Sequence, residues 1–240
     1  MEILQRAIQA VQRNLSALGL YLVITVAASA TSTAVYQALG SPEESAFSKG
    51  TLFLCGMGVD VCMTLVYAAA QAIVFSRFAK DIDRPLWRIR DDREALQRYF
   101  LPWLVLNACL FLLKQLSFDV PALLGNDSIG FFPFWLLLFA AAVCLPLGAA
   151  MMFLRTADWR NIGEALAPYR RQFGKTFALC CINGILFLFM LALVVRIKGQ
   201  PWLGLPVDII FGYLDCVIFC AAWLICMFDR QTPENIDFEF

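Results

Sequence analysis

The apolar residues of this chain fall into six long blocks, separated by short polar or charged stretches. Each block has about the 20 residues that a helix needs to cross a bilayer. Backbone groups in lipid must bond within their own segment, and the blocks lack the period-two alternation of membrane barrels. The expected fold class is therefore an all-α integral membrane protein with six transmembrane helices arranged as three hairpins. The predicted spans cover about residues 17–39, 51–76, 99–117, 131–153, 176–196 and 206–228.

Composition strengthens this prediction, because 60% of the 240 residues are hydrophobic and only 16% are charged. Ordinary soluble domains have about 45–50% apolar and about 25% charged residues. Such an excess fits a single membrane domain, predicted over residues 1–230, and an acidic tail over residues 231–240. The net charge is zero, which gives no reason to expect nucleic acid as a partner.

The positive charges are distributed unevenly along the chain. Fifteen of the nineteen lysines and arginines lie in the N-terminal segment, the second and fourth connections and the tail, and only four lie elsewhere. Because Lys and Arg are retained on the cytoplasmic side during insertion, both termini are predicted to be cytoplasmic. The expected location is the cytoplasmic (inner) membrane of a bacterium.

Both long cytoplasmic connections combine a tryptophan near a span end with spaced apolar and basic residues. This pattern favours interfacial helices that lie on the membrane and attract anionic lipid, with about 1 kcal/mol for each basic residue near the surface. Charged loops with tryptophans at the membrane interface are the alternative. Under either interpretation, the candidate contacts for lipid or a partner are Arg84, Trp87, Arg88, Arg90, Trp159, Arg160, Arg170 and Arg171.

A short internal similarity suggests a repeat. Glu94-Ala95-Leu96 before the third span recurs as Glu164-Ala165-Leu166 before the fifth, and an amphipathic segment also precedes the first span. Three units of an amphipathic helix plus a hairpin would explain this, although low-complexity apolar sequence also gives such matches by chance. The layout resembles the membrane domains fused to some bacterial glycerophosphodiester phosphodiesterases. That resemblance is architectural and implies no catalytic residue, because the soluble phosphodiesterase barrel is missing here.

Several polar side chains lie inside the predicted spans, where an ionised group costs at least about 2.5–3.5 kcal/mol. Asp60 in the second span and Asp215 in the sixth are expected at similar depth. Helical spacing places further polar residues on the face of each aspartate, and Asn107 and Asn183 can hydrogen-bond across helices. The sequence thus predicts a polar seam made of Asp60, Thr64, Tyr67, Gln71, Asp208, Asp215, Asn107 and Asn183.

The polar seam has three interpretations. Asp60 and Asp215 can form a proton or cation relay, or they can be bonded internally, one of them by Lys114, and fix how the helices pack. The third interpretation is an intramembrane aspartic protease. However, Gly56-Met57-Gly58-Val59-Asp60 and Tyr213-Leu214-Asp215 each have one residue too many for the motifs of that family, and one extra residue rotates a helical carboxylate by about 100°.

The residue types present argue against most cofactors. The chain has no histidine, which removes the usual ligand of membrane haem and the commonest ligand of zinc. All nine cysteines lie in apolar blocks without a C-x-x-C pair, which is typical of packing residues. No cofactor, metal site or catalytic residue is therefore expected.

These observations favour a non-enzymatic membrane scaffold or accessory subunit, whose basic cytoplasmic face contacts anionic lipid or a partner. Small residues between Ala27 and Ala34 form a helix face suited to another membrane protein or to self-association. A small transporter or channel component that uses Asp60 and Asp215 for proton or cation coupling is the alternative. An atypical intramembrane enzyme is the third hypothesis.

Overall fold

The structure, a computed structural model, describes residues 2–39, 49–82, 89, 91–154, 163, 166–196 and 201–231. Within these ranges the regular structure is entirely helical. Helices follow the apolar blocks because a helix satisfies its own backbone groups in lipid. The α-helices of the described ranges are α1 (Glu2–Arg13), α2 (Leu15–Leu39), α3 (Lys49–Ile82), α4 (Asp92–Lys114), α5 (Val120–Leu124), α6 (Phe131–Phe153), α7 (Ala167–Arg171), α8 (Phe173–Arg196) and α9 (Pro201–Gln231).

Six helical segments are long and apolar enough to cross a membrane, which confirms the predicted number of spans. Five of them are α2, α3, α6, α8 and α9, and the sixth joins α4 to α5 through a π-helical turn at Gln115–Asp119. The helices extend beyond the predicted spans, most of all where α3 continues to Ile82 and α4 begins at Asp92. Hydropathy marks the edge of the bilayer, whereas a helix ends only where its backbone bonding stops.

The extensions of α3 and α4 contact each other. Asp91 caps α4 by accepting a hydrogen bond of 2.8 Å from the backbone N–H of Glu94. Arg77 of α3 forms an ion pair with Asp92 in the first turn of α4. Because both side chains of this pair are more than a third exposed, the pair contributes at most about 1 kcal/mol. It nevertheless fixes where the two helices converge.

The six segments pack in a closed order. α2 contacts α3, α3 contacts α4, α4 contacts α6, α6 contacts α8, α8 contacts α9, and α9 returns to α2. α9 also contacts α6 across the bundle, and α1 lies against α9. In the apolar stretches of α6 and α9, 61% of the residues are buried inside the protein, against 28% or less in the other four segments. α6 and α9 are therefore the central helices.

The bundle has two unlike ends. The packed half comprises α1, α7, the first turn of α8 and one end of each of α3, α4, α6 and α9, namely residues 72–82, 92–103, 146–153 and 216–228. Most of its side chains on α3, α6 and α9 are buried. The open half is the opposite end, where most side chains keep accessible surface. The largest fully buried side chains include Trp103, Trp223, Tyr21, Tyr99, Phe75, Phe78 and Phe219.

The amphipathic segment before the first span forms α1, and its apolar face is directed at the protein. Ala7 and Val11 are fully buried, and Arg6 and Lys175 of α8 each lie 5.4 Å from the ring of Phe228 in α9. α1 thus closes the packed half by contacts with α9. The predicted interfacial helices of the two long connections, and the acidic tail beyond Gln231, fall largely outside the described residues.

Candidate functional site: an internal polar cavity

The polar face of α3 lines two adjoining cavities inside the bundle. Asp60, Thr64, Tyr67 and Gln71 follow one another at spacings of three or four residues, so they occupy one side of the helix. The outer cavity has a volume of about 460 Å³ and reaches the surface of the open half. The inner cavity, of about 260 Å³, lies deeper in the bundle.

The inner cavity brings together most of the predicted polar seam. Its polar lining consists of Tyr21 of α2 and five of the eight predicted residues, and these five come from four further helices. The remaining walls are mainly apolar side chains of α4, α6, α8 and α9. The five predicted residues are Tyr67, Gln71, Asn107, Asn183 and Asp215.

Asp215 has a neutral partner. The hydroxyl of Tyr21 in α2 donates a hydrogen bond of 3.2 Å to its Oδ2. Within the described part of the chain, no lysine or arginine forms an ion pair with this carboxyl group. The Asp215 side chain keeps some accessible surface because it faces the inner cavity. A carboxyl group in this setting is a candidate for binding a proton or a cation.

The two asparagines have different roles. The Asn107 side-chain amide donates to Gln71 Oε1 over 2.6 Å and to the backbone carbonyl of Trp103 over 2.7 Å. It therefore joins α4 to the polar face of α3, as predicted. The Asn183 amide instead donates to the backbone carbonyls of Ala141 and Ala142, over 2.9 and 3.2 Å. Asn183 fastens α8 to α6 at the wall of the inner cavity.

The outer cavity contains an ion pair. Lys114 Nζ lies 2.6 Å from Asp60 Oδ2, which is the internal bonding that the sequence suggested as one alternative. Gln115 donates to the same oxygen over 3.2 Å, and the hydroxyl of Tyr36 donates to Asp60 Oδ1 over 3.4 Å. The Asp60 side chain is 12% exposed and that of Lys114 is 47% exposed, so the pair stands at the mouth of the cavity. Thr64 bonds to the backbone carbonyl of Asp60.

Two consecutive residues reach one carboxylate group where α4 meets the π-helical turn. In a regular α-helix, neighbouring side chains point about 100° apart. The turn at Gln115–Asp119 begins directly after Lys114, and both Lys114 and Gln115 bond to Asp60 Oδ2. Both have ordinary right-handed helical backbone angles, so the length of their side chains makes up for the difference in direction. Such turns are frequent at functional sites. Hydropathy reveals neither the turn nor the partners Gln115 and Tyr36.

Asp208 lies beside the two cavities but lines neither of them. Its half-buried carboxyl group is near Ser29 of α2, and it is also near Tyr67, whose hydroxyl is close to Asp215 as well. The placement of Asp208 in the polar seam stays a prediction.

Aromatic side chains close the base of the inner cavity. One helical turn closer to the packed half, Gln71 is followed by Phe75 and Asp215 by Phe219, and Trp103 lies one turn from Asn107. The Phe75 ring lies 4.3 Å from that of Phe219 and 5.2 Å from that of Trp103, measured between centroids. The cavities thus open toward the open half and end at these rings.

Asp60 and Asp215 do not form a shared acid pair. Asp60 lines the outer cavity with a lysine partner, whereas Asp215 lines the inner cavity with a tyrosine partner. An aspartic protease needs two carboxyl groups that share a proton at close range. This geometry therefore gives no support to the protease hypothesis.

Two of the predicted lipid or partner contacts can be placed. Arg170 and Arg171 lie exposed in α7, at the edge of the packed half. Next to them, the buried Tyr169 donates its hydroxyl to the carbonyls of Pro146 and Ala222 over 2.8 and 3.3 Å. Burial holds the pKa of Tyr169 well above its ordinary value, so the phenol stays a donor. The contacts outside the described residues are Arg84, Trp87, Arg88, Arg90, Trp159 and Arg160.

Comparisons with known proteins do not add a function. No family model, no curated protein and no solved structure matches this chain. Among the described residues, no three or more His, Cys, Asp or Glu side chains are grouped as metal ligands. The chemistry of the site therefore follows from its geometry alone. The inner cavity contains the carboxyl group of Asp215, and the mouth of the outer cavity contains the ion pair of Asp60 and Lys114.

Proposed function

We propose that this protein is a small transporter or channel component, in which a proton or cation enters through the outer cavity and is held at Asp215. The observation that carries this proposal is the enclosed carboxyl group of Asp215, whose hydrogen-bond partner is the neutral Tyr21. Placing such a group in the membrane costs at least about 2.5–3.5 kcal/mol. A protein that uses the group to bind a cation recovers part of that cost when the cation is bound.

The positions of the cavities support a pathway with one closed end. The outer cavity reaches the surface at Lys114, and the inner cavity ends at Phe75, Trp103 and Phe219. With both termini cytoplasmic, as the distribution of Lys and Arg predicts, the open half faces the exterior. Passage to the cytoplasmic side then requires the aromatic side chains at the base to move apart. Alternating exposure of a central site is a general mode of membrane transport.

The test is a flux assay in proteoliposomes. Wild-type protein is reconstituted with trapped dyes for H⁺ and Na⁺, and a membrane potential is applied. We expect wild type to give a voltage-driven flux that Asp215→Asn abolishes. Asp208→Asn is the matched control, because it makes the same change in the same helix outside the two cavities. Equal flux in wild type and Asp215→Asn, with both proteins monodisperse, contradicts the proposal.

A second candidate function is that of an accessory subunit. It is supported by the outward face of α2, where Ala27, Ala30, Thr31 and Ala34 are exposed and would let another helix approach closely. The basic segments would then contact anionic lipid or the partner. Purification in native nanodiscs followed by mass spectrometry tests this candidate. We expect a stoichiometric membrane partner that Ala30→Leu displaces and Asp215→Asn does not; purification without such a partner contradicts it.

A further inference from the structure

We infer that the two adjoining cavities bind an amphiphilic organic monocation, a protonated amine on an apolar body, with its ammonium group at Asp215. This inference deepens the proposed function and rests on its assignment of Asp215 as the cation-holding group. The alternative occupants are a bare inorganic cation and a neutral apolar molecule. Charge, ligand count and shape distinguish these three.

The charges that line the cavities favour a positively charged ligand. Asp60 is paired with Lys114, and Asp119 in the π-helical turn lies near both of them, so the mouth of the outer cavity carries no net positive charge. Asp215 remains without a described ionic partner, so the groups that line the two cavities have one negative charge in excess when Asp215 is ionised.

The polar groups are too few to strip the hydration shell from a metal ion. Oxygen-binding metal ions take about six oxygen ligands. Near Asp215, the amide of Asn107 is directed at Gln71 Oε1 and that of Asn183 at backbone carbonyls, which leaves chiefly the carboxylate and the hydroxyls of Tyr21 and Tyr67. An ammonium group needs only three acceptors.

The walls fit the apolar body of an amphiphile. The two cavities share Tyr67, Asn107 and three apolar residues, so a single ligand can occupy both. The outer cavity alone has the volume of a typical small-molecule site, which is about 300–1,000 Å³. Aromatic rings near a cation also attract it. The shared apolar residues are Leu110, Phe187 and Met190.

The experiment compares an amine with its neutral isostere. The full chain in nanodiscs is titrated calorimetrically with 2-(1-naphthyl)ethylamine and with 2-(1-naphthyl)ethanol, which differ only in the ammonium and hydroxyl groups. We expect the amine to bind wild type at least about tenfold more tightly than the alcohol, because a hydrogen bond to a charged group is stronger than a neutral one. Asp215→Asn should remove this preference, and Asp208→Asn should keep it.

A second variant tests the same inference if Asp215→Asn does not fold. Met190→Trp fills the junction of the two cavities while leaving every charge in place, so it should exclude the amine from a folded protein. Equal binding of naphthylethylamine and naphthylethanol, or an unchanged preference in Asp215→Asn, would overturn the inference.

The two proposals fail in different ways. If the proteoliposomes conduct H⁺ or Na⁺ through Asp215 and the amine does not bind, the inference of an organic ligand is wrong and the proposed function stands. If the amine binds in an Asp215-dependent manner and no flux of the amine, H⁺ or Na⁺ is measured, the proposed function is wrong and the binding site stands.

Discussion

The packed and open halves share their long helices, yet large side chains are buried in the packed half and exposed in the open half. In the packed half, Trp103 is 1% exposed and its ring contacts Phe75 and Phe219. In the open half, Trp135 is 54% exposed and Phe132 is 70% exposed, with lipid as the expected neighbour. Hydropathy does not distinguish these tryptophans, because both lie in apolar segments.

This difference shows how a membrane bundle can be held together at one end and contain a polar site at the other. Between helices in lipid, apolar packing has no hydrophobic driving force, so close contact requires side chains of complementary shape. Phe75, Trp103 and Phe219 provide such contact, and one turn away Gln71, Asn107 and Asp215 line the inner cavity. The packed half can therefore hold the helices while the open half carries the polar groups.

The largest effect should come from removing a large side chain in the packed half. Trp103→Ala creates a void among aromatic rings and should lower the free energy of unfolding by about 3–5 kcal/mol. Trp135→Ala is the matched substitution in the open half and should cost less than about 1 kcal/mol. Denaturation of both variants in the same nanodiscs measures the difference. Equal losses would falsify the distinction between the halves.

An intermediate effect is expected where two helices approach closely. A Cβ atom at Gly148 would lie 2.2 Å from the ring of Trp103, so Gly148→Ala must displace that ring and should cost about 1–3 kcal/mol. Gly58 in the open half has no neighbour within 4 Å of such an atom, and Gly58→Ala should be neutral or stabilising by up to about 1 kcal/mol. Thermal unfolding midpoints give the comparison; a midpoint unchanged by Gly148→Ala speaks against this packing.

The smallest effect should come from the ion pair at the mouth of the outer cavity. Lys114→Met leaves Asp60 with the neutral donors Gln115 and Tyr36 and should cost about 1 kcal/mol or less, since the lysine is half exposed. A double-mutant cycle with Asp60→Asn isolates the pair. We expect a coupling free energy that decreases at high salt. Strict additivity of the two substitutions would show that the contact contributes nothing.

Much of the polar site could be predicted from helical spacing. Asp60, Thr64, Tyr67 and Gln71 occupy one side of α3 because α3 is a continuous helix. The suggested bond between Asp60 and Lys114 is present. Spacing also placed Asp208 with Asp215, and both carboxyl groups are near Tyr67, although only Asp215 lines the inner cavity.

The partners of the two aspartates could not be predicted in the same way. Tyr21 lies 194 residues from Asp215, and Tyr36 lies in a different span from Asp60. In the sequence, Tyr21 is one more residue of an apolar block. It shares a helix side with Ala17 and Thr25, but only the structure shows that this side is buried. Composition does not reveal that the side chain of Gln115 reaches Asp60 in another span.

The sequence by itself determined that the chain is helical, that it has six segments able to span a membrane, and which side chains are costly to place there. These properties follow from the composition of each stretch of about 20 residues and need no knowledge of the others. Only the tertiary structure decided that Asp60 is paired, and that Asp215 lines a cavity with Tyr21 whereas Asp208 does not. Those outcomes depend on how side chains of distant segments fit together, and shape complementarity is not a property of any one segment.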